Sequence, residues 1–214
     1  MRKSRGLTDA NGGHLRQSES LFARRGRPEL GDRSRFLKRD RPHLSLRPFA
    51  REDFGRLVSW VRSQEALAEW CAGFFRHPLD DAQLARYLES SKQRNARVIW
   101  AAESGGDHVG HIEISQIWPY LSSRLSRVLV APDHRRRGVG SAIIGRALSF
   151  SFREHHVSRI DLGVSATNTA AIACYESLGF THVGTWPGAI ATGAGKIDVY
   201  WMTISREQWS RSDH

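Results

Sequence analysis

Apolar residues fall into short periodic runs only from residue 44 onward. Leu44-Ser45-Leu46-Arg47 alternates apolar and polar, the period of a strand with one buried face. Phe54, Leu57, Val58 and Val61 recur three and four apart, so residues 51–62 read as an amphipathic helix. Pro78-Leu79-Asp80 predicts a second helix, capped by Asp80 with Gln83 three residues on, and with Leu84, Tyr87 and Leu88 on its apolar face. Residues 98–103 and 108–117 read as strands, and the turn-rich Ser104-Gly105-Gly106-Asp107 between them predicts a hairpin. Residues 124–130 form the next strand, ending at Ala131-Pro132. A glycine turn then opens a helix whose Ile144, Leu148 and Phe152 lie four apart, and a strand follows at 159–164. A helix over 169–178 is stopped by Gly179, where a left-handed cap is favoured. The last strands, 180–185 and 198–204, flank a glycine-rich link at 187–195. This order predicts an α/β protein with a mixed sheet, without internal repeat or second folded domain.

Charge separates the chain into two parts. Residues 1–41 hold twelve Lys/Arg against five acids, whereas residues 42–214 hold 20 against 17. The first segment also lacks a sustained apolar period and contains Gly12-Gly13, Gly26, Pro28 and Gly31. It reads as a basic, disordered arm, leaving 42–214 as the folded domain. Such an arm can hold an anionic partner weakly by counterion release, or be a solvated extension with no partner. No apolar run approaches the roughly 20 residues of a membrane span, and the N-terminus has no apolar signal core. The two cysteines, Cys71 and Cys174, have neither metal-ligand nor redox spacing and read as small buried hydrophobes. Together these features predict a cytoplasmic protein without a membrane or metal partner.

The chemistry lies in Val128-Leu129-Val130-Ala131-Pro132-Asp133-His134-Arg135-Arg136-Arg137-Gly138-Val139-Gly140-Ser141. A strand runs through a glycine turn into a helix, whose first backbone N–H groups carry partial positive charge and lack intrahelical partners. Gly138 and Gly140 allow phosphates to approach the backbone, and Arg135, Arg136 and Arg137 add fixed positive charge. Neither the GxxxxGK[ST] loop of nucleoside-triphosphate sites nor the GxGxxG of dinucleotide folds is present. By itself the segment fits a phosphate site or a tight turn beside solvated arginines equally well.

Arg135-x-x-Gly138-x-Gly140 resembles the [QR]-x-x-G-x-[GA] signature of GNAT acetyltransferases. Downstream, Asn168-x-x-Ala171-Ile172-x-x-Tyr175-Glu176-x-Leu178-Gly179-Phe180 resembles the second signature of the same family. The resemblance covers about residues 42–206 and is similar in layout to the subgroup with ribosomal-protein, aminoglycoside and polyamine acetyltransferases. It implies a mixed, mostly antiparallel central sheet flanked by helices and splayed at an acetyl-CoA cleft. It also implies that acetyl-CoA is the cosubstrate, with pantetheine along Leu129 and Val130 and flanked by Asn168 and Ala171. The pyrophosphate would then sit on the amides of Arg136, Arg137, Gly138, Val139, Gly140 and Ser141, and Tyr175 would be the general acid at the sulfur.

The group that takes the amine proton is less clear from the residues. Strand 124–130 carries no acid, unlike many relatives. His111 and Glu113 share one face of the preceding strand, opposite Ile112 and Ile114, and Glu113 is the base if that face lines the cleft. Trp60, Trp70, Phe74, Phe75 and Trp118 are the notable aromatics; Trp70–Phe75 is the segment expected to wall the acceptor site. The expected function is acetyl transfer to a primary amine of a small molecule or protein. The alternative is a non-catalytic acyl-CoA sensor or a ribosome- or RNA-tethered interaction protein; a homodimer is open on either reading.

Overall fold

The computed structural model describes residues 44–92, 97–117, 121–193 and 195–211. The basic segment 1–41 and Trp118 lie outside them.

Four antiparallel strands come first: β1 (Leu44–Pro48), β2 (Arg97–Ser104), β3 (Asp107–Ile117) and β4 (Ser122–Val130). β5 (Arg159–Ser165) joins β4 in parallel, and β7 (Gly195–Ser205) lies between β5 and β6 (Thr181–Thr192), both pairings antiparallel. The sheet order is β1-β2-β3-β4-β5-β7-β6.

Helices cover both faces. On the first, Ile143, Ile144 and Leu148 of α4 (Val139–Ser149) pack on Ile112, Ile114, Leu125, Ile160, Leu162, Met202 and Ile204, all buried. Tyr175 of α5 (Thr169–Ser177) and Trp209 of α6 (Arg206–Arg211) close this core. On the second face, α1 (Phe54–Trp60), α2 (Gln64–Cys71) and α3 (Asp81–Lys92) bury Phe54, Leu57, Leu67, Leu84 and Tyr87 against Ile99 and Ala101 of β2. The period-two alternation of β3 sorts its side chains: Ile112 and Ile114 to the first face, His111 and Glu113 to the second.

Three local differences from the sequence reading have physical causes. The predicted helix over 51–62 divides into a 3₁₀ turn, Arg51–Asp53, and α1, and a separate α2 follows. Ser63 caps α2 by accepting from the Ala66 N–H at 3.1 Å. The link at 187–195 is largely strand: β6 continues through Pro187, with a bulge between Trp186 and Ile190. β6 is an edge strand, where a missing N–H costs no ladder bond, and Asp198 accepts from the Gly188 N–H at 2.8 Å across the bulge. The third concerns Asp80, which caps α3 as expected at 2.8 Å from the Gln83 N–H. Gln83 does not close a capping box: its side-chain amide donates to Arg76 and Pro78 carbonyls.

Candidate active site

β4 and β5 pair over only three rungs, Ser122 with Arg159, Ser123 with Ile160, and Arg124 with Asp161. Both strands continue beyond the last rung, to Val130 and Ser165, without pairing with each other. The sheet is therefore splayed between residues 125–130 and 162–165, which leaves that edge of β4 unpaired with β5 and open to an extended ligand.

The glycine turn stands at the open end of this splay. Arg136 and Gly138 are both left-handed, with φ of 57° and 78°, and Gly138 caps α4 without a side-chain partner. The first intrahelical bond comes from Ala142 N–H to Gly138 O at 3.0 Å, so the N–H groups of Val139, Gly140 and Ser141 have no intrahelical acceptor. A Cβ on Gly138 would meet nothing within 4 Å, so open space lies over the turn. A Cβ on Gly140 would touch Val130 at 3.6 Å and Cys174 at 3.8 Å, so only a small residue fits between α4 and β4. Arg136 and Arg137 are exposed, while Arg135 turns back and donates through Nε to the Val130 carbonyl at 3.2 Å. This arrangement fits an anionic pyrophosphate. Gly138→Val should abolish CoA binding in a calorimetric titration while lowering stability by only ~1–2 kcal/mol, the cost of a left-handed non-glycine residue. Native CoA affinity in that variant would remove the turn from the site.

α5 approaches from the side of the first face. Asn168 is its N-cap, accepting from the Ala171 N–H at 3.0 Å, so its carbonyl oxygen is spent on the helix end. Ala171 packs on the first core. Tyr175 is 7% exposed and meets Phe180 edge-to-face at 5.6 Å. Burial, and then the neighbouring Cys174, push its pKa above the usual phenol range, so its hydroxyl stays protonated. Cys174 lies 3.3 Å from the Ser141 hydroxyl, tying α5 to the start of α4; burial raises its thiol pKa too.

The second face holds a polar cluster only partly foreseen from sequence. Arg127 and Val128 together oppose Ile112, a two-against-one bulge, and Arg127 takes a φ of 49°. That conformation turns the Arg127 side chain onto Glu113: Nε donates to Oε2 at 2.7 Å and Nη2 to Oε1. Arg97 Nε lies 3.2 Å from Oε1, and the Tyr87 hydroxyl donates to Oε2 at 2.6 Å. Glu113, 1% exposed, thus accepts three hydrogen bonds and lies within ion-pair distance of Arg97. Both of its oxygens are engaged, so its geometry is that of a buried counter-ion. His111 is no better placed to act as base. Burial and then Arg127 hold its pKa down to about 3, and its Nε2 meets the Tyr87 oxygen at 3.3 Å. Because Tyr87 gives its proton to Glu113, His111 must donate through Nε2 to the Tyr87 oxygen, leaving Nδ1 as the bare nitrogen.

Around this cluster stand the expected aromatics. Trp70 stacks on Phe75 at 5.6 Å, and Ala72 and Gly73, both left-handed, present Phe74 at 47% exposure over the Arg127 guanidinium at 4.2 Å. Trp60 packs instead on His108, at 4.8 Å, away from the bulge cluster. Sequence reasoning missed Arg127, whose left-handed conformation has no local signature. Tyr87 read only as part of an apolar helix face.

Comparison with known proteins bears on the family and the fold. Residues 60–180 match the Acetyltransferase (GNAT) family. The spermidine N(1)-acetyltransferase of Vibrio cholerae is 25% identical over 143 residues, covering 66% of this chain and 80% of that protein. A mycothiol acetyltransferase of Corynebacterium glutamicum is 30% identical over 127 residues, or 58% of this chain, which spans only 41% of that relative's length. The crystal structure of the Vibrio cholerae spermidine N-acetyltransferase with CoA and spermine superposes with a TM-score of 0.69 at 23% identity, covering 78% of this chain and 98% of that one. The two signatures, the splay and the glycine turn are thus the features of a family member: the chain belongs to the GNAT acetyltransferases and is an acyl-CoA-dependent N-acetyltransferase whose acyl donor is acetyl-CoA.

Proposed function

We propose that the chain acetylates a primary amine by direct transfer, with Tyr175 as general acid and the backbone of β4 as the oxyanion donor. The observation that carries this reading is the parting of β4 from β5 after three rungs, with the left-handed Gly138 turn beyond its open end and buried Tyr175 on the flanking helix. The pantetheine arm lies along Leu129 and Val130, and the diphosphate rests on the amides of residues 136–141. The amine nitrogen attacks the thioester carbonyl; the new C–N bond forms, the oxyanion is held by the Val130 N–H, and the C–S bond breaks. The departing sulfur takes its proton from Tyr175, the nitrogen loses one to water, and the Tyr175 phenolate regains one from solvent. Water fits the role of acceptor for the amine proton better than Glu113, both of whose oxygens are engaged by Arg127, Tyr87 and Arg97. A cytoplasmic setting belongs to this reading, supported by the two free cysteines; among the described residues no helix is long and apolar enough to cross a membrane.

Thiol release from acetyl-CoA, followed over panels of small amines, peptides and proteins, tests the proposal. Turnover that depends on an added amine, with stoichiometric N-acetylated product, is the expected result. Tight CoA binding with no turnover on any amine would instead mark a sensor.

A further inference from the structure

Relatives named for spermidine and aminoglycosides act on cationic amines, and a polycation is held by unpaired carboxylates near the site of transfer. On the strands of the second face the carboxylates are already engaged. Glu113 is held by Arg127, Tyr87 and Arg97. Asp161 takes the Thr203 hydroxyl at 2.7 Å on one oxygen and Arg159 Nε at 3.0 Å on the other.

Arg124 is placed differently. It forms the last rung of the β4–β5 pairing, directly at the vertex of the splay. Leu125 points into the first core, so Arg124 points to the opposite face. There its guanidinium lies over the Trp201 ring at 4.6 Å, and Trp201 in turn meets the exposed Trp186 at 5.5 Å. Gly163 makes room for this arrangement, because a Cβ there would come within 3.3 Å of the Trp201 ring. The Nε of Arg124 is shut off from solvent and has no hydrogen-bond partner, and among the described residues no carboxylate lies within ion-pair distance of its side chain. Stacking fixes the plane of a guanidinium but leaves its edge N–H groups directed outward, the geometry that receives a carboxylate. Arg124 as a residue is only half-buried, and its Nη groups are not among the buried unpartnered atoms, so they are the donors a ligand carboxylate would meet.

We propose that the acceptor is an amine that also carries a carboxylate, and that Arg124, laid flat on Trp201, binds that carboxylate at the vertex of the splay. This rests on the acetyltransferase reading above and adds the chemical class of the acceptor. Arg124 is six residues from Val130, about 20 Å along the strand, of which the arginine side chain spans part. The acceptor is therefore extended, with its amine toward Val130 and its carboxylate at Arg124. Arg127 and Arg97, on the same face, together outnumber Glu113, and their excess positive charge disfavours a second cationic centre in the acceptor.

The test measures binding to the CoA-loaded enzyme by calorimetry, using ω-amino acids of four to eight carbons, the alkylamines of equal length, and spermidine. One length of amino acid should bind roughly 10- to 100-fold tighter than its matching alkylamine, the range for a hydrogen-bonded charged contact. Arg124→Gln should erase that preference while CoA affinity stays native, and Arg124→Lys should keep part of it. Equal or tighter binding of the alkylamines or spermidine by the native enzyme overturns the proposal, as does a series in which no amino acid binds. An amino-acid preference that survives Arg124→Gln overturns it as well. CoA affinity, measured in the same samples, separates these outcomes from a failure of the acetyltransferase reading itself.

Discussion

Tyr175→Phe should leave acetyl-CoA affinity unchanged and lower kcat by about 10²- to 10⁴-fold, the range for loss of a general acid. The substitution keeps the ring that packs on Phe180 and fills the first core, so only the hydroxyl is lost. Burial raises the pKa of that hydroxyl, so it is protonated when the sulfur leaves but is a weaker acid than a free phenol. The phenolate it would leave is more basic than the thiolate, so its proton transfer depends on C–S cleavage and on reprotonation from solvent. Single-turnover kinetics with saturating acetyl-CoA and amine provide the measurement, with CoA titration as the binding control. A Tyr175→Phe enzyme of near-native kcat would assign the sulfur's proton to solvent. A variant that lost kcat together with CoA affinity would make Tyr175 a packing residue.

Most of the first core was legible because it obeys simple periods. Ile144, Leu148 and Phe152 at helical spacing, and Ile112 and Ile114 at strand spacing, are all buried on one side of the sheet. The glycine turn was legible for a different reason: Gly138 is a backbone requirement, and such requirements restrict residue type at single positions. What sequence left open was the second face. Whether His111 and Glu113 line a cleft or meet a helix depends on what covers β3, and α3 comes from 20–30 positions earlier with Tyr87 facing inward. The bulge that turns Arg127 onto Glu113 was equally hidden, since an arginine at positive φ has no local signature. β6 was misread as a link for a related reason. Pro187 and Gly188 signal a turn locally, yet the open edge of β6 accommodates them.

Glu113→Ala should destabilise the folded protein by about 3–5 kcal/mol, the usual result of removing one partner from a buried ion pair. The carboxylate is 1% exposed and the Arg127 side chain 11%, so the guanidinium left behind would have little access to water. Arg97 is 28% exposed on its side chain and can turn to solvent, which confines most of the penalty to Arg127 and the Tyr87 hydroxyl. Because Arg127 holds a left-handed conformation in the bulge, losing its anchor also loosens the strand edge on which the pantetheine is proposed to lie. Urea unfolding should therefore show a lower midpoint at unchanged slope, and KM for acetyl-CoA should rise. The double variant Glu113→Ala with Arg127→Met should recover part of the stability, because no unpaired charge remains buried. The shape of the pH–rate profile separates this structural role from the base first suggested by the sequence. A counter-ion variant keeps that profile, whereas loss of a base gives an enzyme that recovers at high pH, where the amine sheds its own proton. Glu113→Gln with native stability and an alkaline-shifted profile would restore Glu113 as the base and require the four contacts around it to open during turnover.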